Sequence, residues 1–363
     1  MHHRSFRFTL ISPLFATALL GQQHLVVPSA YATNDAISFN WIAGASRDVR
    51  QQTLIDASRL APMLGRDITA IEFRRTAANE VYQGGSANMT VTLSIAPHTP
   101  LACSSSFAAN IGTNPVQVFN GTVTFPSSPA IAAGPGAAVS WSTQNVVRVP
   151  FATPFSYTGG TLCVDIVGLA IPGQEANWWM ADAEFEDLPG TVTDVGAGCG
   201  AYGGVQSRWA HAARRSLVPG GYAHMFAYGT PYGLAIAAIG DRSPVGMPMS
   251  AVGFQSPAGC NLFLSNVYYL EPHVFVPDPE PALVDRGGRA DVEIKIPALP
   301  ASLGFQATTQ WIDWSQMASS NAIEWTVAAA IPSLGMALVE GAAQEATGNV
   351  TAHLAHVLRF EYQ

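Results

Sequence analysis

Along most of this chain, short stretches of alternating apolar and polar residues are separated by glycine- and proline-rich breaks. Ile68–Phe73 and Met89–Ile95 alternate with the period of a strand that buries one face. Val116–Phe119, Thr122–Phe125, Val146–Val149 and Thr161–Ile166 repeat the pattern. Asn120-Gly121, between two of these, predicts a two-residue hairpin. Thr158-Gly159-Gly160 predicts a turn. Gln51 to Leu64 reads either as a short helix or as a loop wrapping an edge. A glycine-rich stretch from Leu188 to Gly198 separates this series from a second one, which runs through Met225–Tyr228, Leu234–Ile239, Leu262–Leu264 and Asp291–Ile296. Asp285–Gly288 is a tight turn before the last of these, and Val350–Tyr362 closes the chain as another strand-like segment. Many short strands between turns predict an all-β fold of two β-sandwich or jelly-roll-like domains, not a parallel sheet.

The first residues read differently. Arg4 and Arg7 precede a mostly apolar run from Thr9 to Gly21, and Ala30-Tyr31-Ala32 has the small-x-small form of a cleavage site. The expected organisation is a signal peptide over 1–32, an N-terminal domain over 33–190, and a C-terminal domain over 191–363 that ends in a terminal strand extension. The mature protein then starts at Thr33 and works outside the cell or on its surface, with the periplasm as the alternative.

Composition narrows the partners. The chain has 363 residues, 48% of them hydrophobic and only 12% charged, with a formal net charge of −8. Lys295 is its sole lysine. No basic stripe exists to neutralise phosphates, which argues against nucleic acid. The same acidity argues against an anionic membrane surface. No second apolar run is long enough to span a bilayer, because Ala328–Leu338 is short and broken by Pro332.

Cys103, Cys163, Cys199 and Cys260 are an even set in a chain expected to be exported, which suggests disulfides. Three pairings are possible, and domain order favours Cys103–Cys163 and Cys199–Cys260. Buried free thiols and a zinc site are the alternatives, the latter without CxxC spacing or a neighbouring histidine.

Motifs for chemistry are sparse. Gly44-Ala45-Ser46 lacks the second glycine of a nucleophile elbow. A dispersed triad would need a serine beside His98, His211, His224 or His273. Gly198–Gly203 matches a dinucleotide fingerprint, but no buried strand precedes it, so it reads as a turn. Asp182, Glu184 and Glu186 alternate on a predicted strand and would share one face. They are a candidate calcium site or, less simply, a glycosidase pair; the plainer expectation is a solvated edge strand. Trp178 and Trp179 should point to opposite faces, one into the core; the plainer expectation for the other is packing or simple surface exposure, and the alternative is a platform for a sugar ring. Trp311 and Trp314 are weaker candidates. His353 and His356 are three apart, a metal pair only if helical. His24 as an N-terminal copper ligand would require cleavage after Gln23, and the Ala32 site excludes it. Sequons at Asn88, Asn120 and Asn349 matter only in a eukaryotic secretory route.

The C-terminal half carries Gly198-Cys199, Gly259-Cys260-Asn261-Leu262, Gly288-Arg289-Ala290, Gly304 to Trp311 and Ser320-Asn321-Ala322. In these marks it resembles a module of uncharacterised exported proteins of environmental bacteria. Phe119–Pro126 and Pro154–Gly160 resemble its frequent companion module. The resemblance implies two β-sandwich-like units and the second cysteine pair, and it carries no catalytic residue.

The expected function is that of a secreted, non-enzymatic surface, matrix or carbohydrate-binding protein whose partner is an extracellular polysaccharide or matrix. It needs no cofactor beyond a possible structural Ca²⁺ at Asp182, Glu184 and Glu186. The alternative is a secreted hydrolase acting on an extracellular polysaccharide or polyester.

Overall fold

Strands dominate because β-branched and aromatic residues alternate with polar ones wherever glycine and proline do not interrupt. The computed structural model describes residues 21–36, 38–134, 136–177, 179–200, 210–212, 214–277 and 287–363, the side chains of residues 211 and 215 excepted. These residues form an all-β protein with antiparallel sheets grouped around two main apolar cores.

In the first body, a six-stranded sheet runs in the order Asn349–Thr351, Met336–Ala342, Val49–Ile55, Leu162–Ala170, Gly85–Ile95, Val116–Phe125. A four-stranded sheet runs Gln23–Val27, Leu358–Tyr362, Arg66–Arg74, Val146–Tyr157. A small sheet of Ser38–Trp41, Met180–Phe185 and Leu354–His356 completes the body. Ile71, Phe73, Val91, Val147, Val164, Trp179 and Phe360 belong to one buried cluster. At about 1.5–3 kcal/mol per fully buried large apolar side chain, this cluster is the main source of stability.

In the second body, a five-stranded sheet in the order Thr191–Val195, Ala318–Thr326, Gln306–Asp313, Leu234–Pro248, Asn261–Val274 accompanies a four-stranded one of Ala210–Ala212, Tyr222–Gly229, Gly288–Lys295 and Val276–Pro277. Trp311, Ile323 and Trp325 anchor its core. Lys295 joins the two bodies: its ammonium donates to the Cys103 carbonyl of the first (2.7 Å) and the Gly220 carbonyl of the second (2.6 Å).

Several expectations change. The terminal strand extension closes the first body, not the second: Met336–Ala342 pairs with Val49–Ile55, and Leu358–Tyr362 with Arg66–Arg74. The second body is thus an insertion, and the first is discontinuous in sequence. The boundary at Thr33 does not coincide with the fold either. Gln23–Val27 pairs residue for residue with Leu358–Tyr362, and Val27 lies in the core. Residues 1–20 lie outside the described residues.

Asn120-Gly121 forms no hairpin. Val116–Phe125 is one strand, with Asn120 opposite Thr90 and Gly121 opposite Met89. Primed turns need positive φ at one or both central residues, and neither has it. The long partner strand Gly85–Ile95 offers a ladder that outweighs the local turn preference. Gln51 to Leu64 is neither helix nor loop at its start: the strand Val49–Ile55 lies between two others, followed by two 3₁₀ turns. Its buried glutamines disguise it. Gln52 donates to the Phe107 carbonyl (3.0 Å), and Gln51 donates to the Trp41 carbonyl (2.8 Å).

Candidate binding site on the outer face of the four-stranded sheet

Register places Glu72, Arg74, Arg148, Arg359 and Glu361 on the same face of the four-stranded sheet, opposite the core-facing Ile71, Phe73, Val147 and Phe360. Polar residues on this face pair with one another. Arg148 donates through Nε to Glu361 (2.7 Å), and Arg359 donates to Glu72. The hydrogen bond from Arg148 holds the Glu361 carboxyl below the usual carboxylate range.

Trp141 comes from the irregular segment between Val116–Phe125 and Val146–Tyr157 and lies over this face. Its indole N–H donates to the Ala32 carbonyl (2.8 Å). The guanidinium carbons of Arg74 and Arg359 stand 4.8 and 4.6 Å from its ring centroid. Both arginines belong to the sheet face beneath, so they hold the ring from that side. Two hollows share Trp141 in their walls. One, of about 460 Å³, is also lined by Phe119, Thr122, Thr124, Arg148 and Arg359. The other, of about 560 Å³, is lined by Thr33, Ile131, Val139, Ser140 and Gln144 among others. The arrangement offers an aromatic plate flanked by hydroxyl, amide, guanidinium and carboxylate groups.

His24, Glu72 and Glu361 bring ligand atoms within 4.8 Å of one another. Both carboxylates are already closed by guanidinium groups. A cation there would face two positive charges, so the cluster reads as an ion-pair network.

The residues singled out from sequence lie elsewhere. Trp178 is outside the described residues. Trp179 is fully buried, packs against Tyr82 and Phe125, and donates to the Pro126 carbonyl (2.9 Å), so it is no sugar platform. Asp182 and Glu184 are buried on a central strand, flanked by Ser38–Trp41 and Leu354–His356, not on a solvated edge. Each carboxylate serves a different partner. Asp182 accepts from the buried Arg74 and from the Ala36 N–H (2.9 Å), Glu184 bonds the Tyr31 hydroxyl, and Glu186 accepts from the Ser333 N–H (2.9 Å). With Arg74 already the counter-cation, the calcium site has no support in this geometry. Burial pushes the Asp182 carboxyl up to about 7, against the pull of Arg74.

Cys199 and Cys260 form a disulfide. Around it, Ser319 donates its N–H to Cys199 Sγ (3.1 Å), Gln310 donates to the Asn261 and Ser320 carbonyls (both 2.9 Å), and Asn321 accepts from the Ala210 N–H (3.0 Å). Gln310 and the residues next to Cys199 and Cys260 in space therefore bond around the staple. Cys103 and Cys163 are not bonded; both are buried free thiols in a small cluster with Leu54 and Phe107. Burial raises both thiol pKa values, that of Cys103 to about 11.

Of the histidines, His224 bonds Asp291 (2.8 Å), whose carboxylate Arg289 also holds. His353 and His356 are buried against Phe185 and Phe73 in the first body. Trp311 is core, and the half-exposed Trp314 packs edge-on against Phe254. Trp141 was missed because no strand pattern surrounds it. A lone tryptophan in an irregular Gly/Ala/Ser-rich stretch is the signal that marks it.

No family model matches the chain, and no curated protein matches it. Among solved structures, a cryo-EM structure of T=1 Penaeus vannamei nodavirus covers 86% of this chain and 99% of that one at 12% identity, with a TM-score of 0.14, a likeness too slight to carry an argument.

Proposed function

We propose that this is an exported, non-enzymatic carbohydrate-binding protein of an extracellular surface or matrix, and that Trp141 is its platform. The observation that carries the reading is the position of Trp141, held from the sheet side by two arginines and shared by the walls of two hollows. Stacking of a sugar on an indole needs a ring fixed in advance, since a free one loses rotamer entropy on binding. Export agrees with the disulfide Cys199–Cys260, which persists in an oxidising compartment. Among the described residues, no helix is long and apolar enough to cross a membrane.

A hydrolase working at this face would need a proton donor. Glu361 is kept ionised by Arg148, and Glu72 is closed by Arg359, so neither carboxyl suits general-acid work. Glycan-array and affinity-electrophoresis measurements test the proposal. Trp141→Ala is expected to weaken retention about tenfold or more, with the thermal transition of the body preserved. Binding that survives this change would sink the assignment.

A further inference from the structure

Resting on that reading, we propose that the ligand is an uncharged, linear glycan chain that crosses Trp141 and fills both hollows at once, and not a single terminal sugar or an acidic polymer. Charge is the first argument. In the hollow lined by Arg148 and Arg359, each guanidinium already has a carboxylate: Glu361 bonds Arg148 and Glu72 bonds Arg359. A uronate or sulfate would have to displace a carboxylate already bonded to its guanidinium, or approach that carboxylate and be repelled. The second hollow has no ionisable side chain in its lining. Its polar groups are hydroxyls and amides, those of Thr33, Ser140, Gln144 and Asn145, which match sugar hydroxyls.

Shape is the second argument. Hollows of about 460 and 560 Å³ both have the Trp141 indole in their walls. Each falls within the range of roughly 300–1,000 Å³ that ligand sites occupy. A single sugar uses one hollow and leaves the other in water. A chain joins the two, and its second contact is intramolecular, so affinity rises with length without any new kind of interaction.

Calorimetric titration of the full chain tests both arguments. The probes are neutral cello-, xylo- and manno-oligosaccharides from mono- to hexasaccharide, with oligogalacturonides as the acidic series. The expected result is that a neutral series binds and gains at least about tenfold between its shortest and longest members. Little change is expected between low salt and about 0.5 M salt, where screening is nearly complete. Thr124→Trp and Gln144→Trp sit at exposed positions, one in each hollow. Each should abolish the gain with length while sparing the shortest ligand that binds. Binding that depends on Trp141 but favours oligogalacturonides, or ignores length, overturns this inference and leaves the platform standing. Absence of binding in every series, or binding unaffected by Trp141→Ala, overturns both.

Discussion

The first body is closed by its own chain ends, whereas the second is closed by a covalent bond. In the first, Gln23–Val27 and Leu358–Tyr362 pair at the margin of the four-stranded sheet, and residues 31–36 are tied in by Arg74, Asp182 and Asp35. In the second, Cys199–Cys260 fastens the strand Asn261–Val274 to the body, with Ser319 and Gln310 bonded around it. A disulfide constrains the unfolded chain. A terminal strand acts only in the folded state, through backbone bonds and buried side chains, so its loss is felt at once. The binding face sits on the body whose closure is non-covalent, and Ala32 of the N-terminal segment is the hydrogen-bond acceptor that fixes Trp141.

Shortening the chain to begin at Thr33 is the strongest way to break that contrast. It removes the edge strand, the buried Val27 and the Ala32 acceptor. The expected loss is about 5 kcal/mol or more, summing an apolar side chain and several backbone bonds. Urea titration of this form against the full chain decides it; equal midpoints would mean that the strand does not close the first body.

Next in size is Arg74→Ala. Arg74 and Asp182 are both fully buried, so removing one partner strands the other charge and should cost about 3–5 kcal/mol. The doubly apolar variant Arg74→Met/Asp182→Leu should recover much of it. A double variant as unstable as the single one would show that packing, not the charge pair, dominates.

Opening the staple in the second body with Cys199→Ser/Cys260→Ser should cost about 2–4 kcal/mol. Hydrogen exchange should rise in Asn261–Val274 and Gln306–Asp313 while Leu358–Tyr362 keeps its protection. Loss of protection in both bodies would mean that the two fold as one cooperative unit.

Acidity separates two charge clusters within the first body. Glu361 titrates below its ordinary range, so its stabilisation is present above that range and is lost as pH falls through the lowered value. Asp182 is raised to about 7, so its contribution is full below the ordinary carboxylate range and declines as pH rises through about 7. The stability of the first body should therefore peak at mildly acidic pH, with Asp182→Asn flattening the neutral limb and Glu361→Gln the acidic one. A pH profile unchanged in both variants would refute the assignment.

The smallest effect concerns the thiols. Cys103 and Cys163 should resist alkylation in the native protein and react only after unfolding, at two equivalents per chain. Intact mass reads the result, and a second disulfide would appear as two missing equivalents.

Strand content was legible where burial alternates along the strand, as in Gly85–Ile95, and where apolar and polar residues alternate although both faces are covered, as in Arg66–Arg74. It was illegible at Val49–Ile55, where Gln51 and Gln52 are buried but satisfied by partners distant in sequence. It misled at Asn120-Gly121, where pairing with Gly85–Ile95 overrode the turn. In the site, the aromatic pair Trp178-Trp179 drew attention by its predicted strand setting, but Trp179 lies just before the strand Met180–Phe185 and is buried there. Trp141 has no periodic neighbours, and its partners Arg74 and Arg359 are far away along the chain.

Composition and alternation by themselves determined the all-β class, because that depends on local period and punctuation; domain order favoured Cys199–Cys260 and Cys103–Cys163 alike, and only the first of these forms. Only the tertiary structure decided that residues beyond 335 return to the first body, that Cys103 and Cys163 remain thiols, that Asp182 answers Arg74, and that Trp141 stands over a sheet built from both ends of the chain. These are pairings between distant segments, set by which faces meet when two sheets close over one core, and no local pattern encodes them.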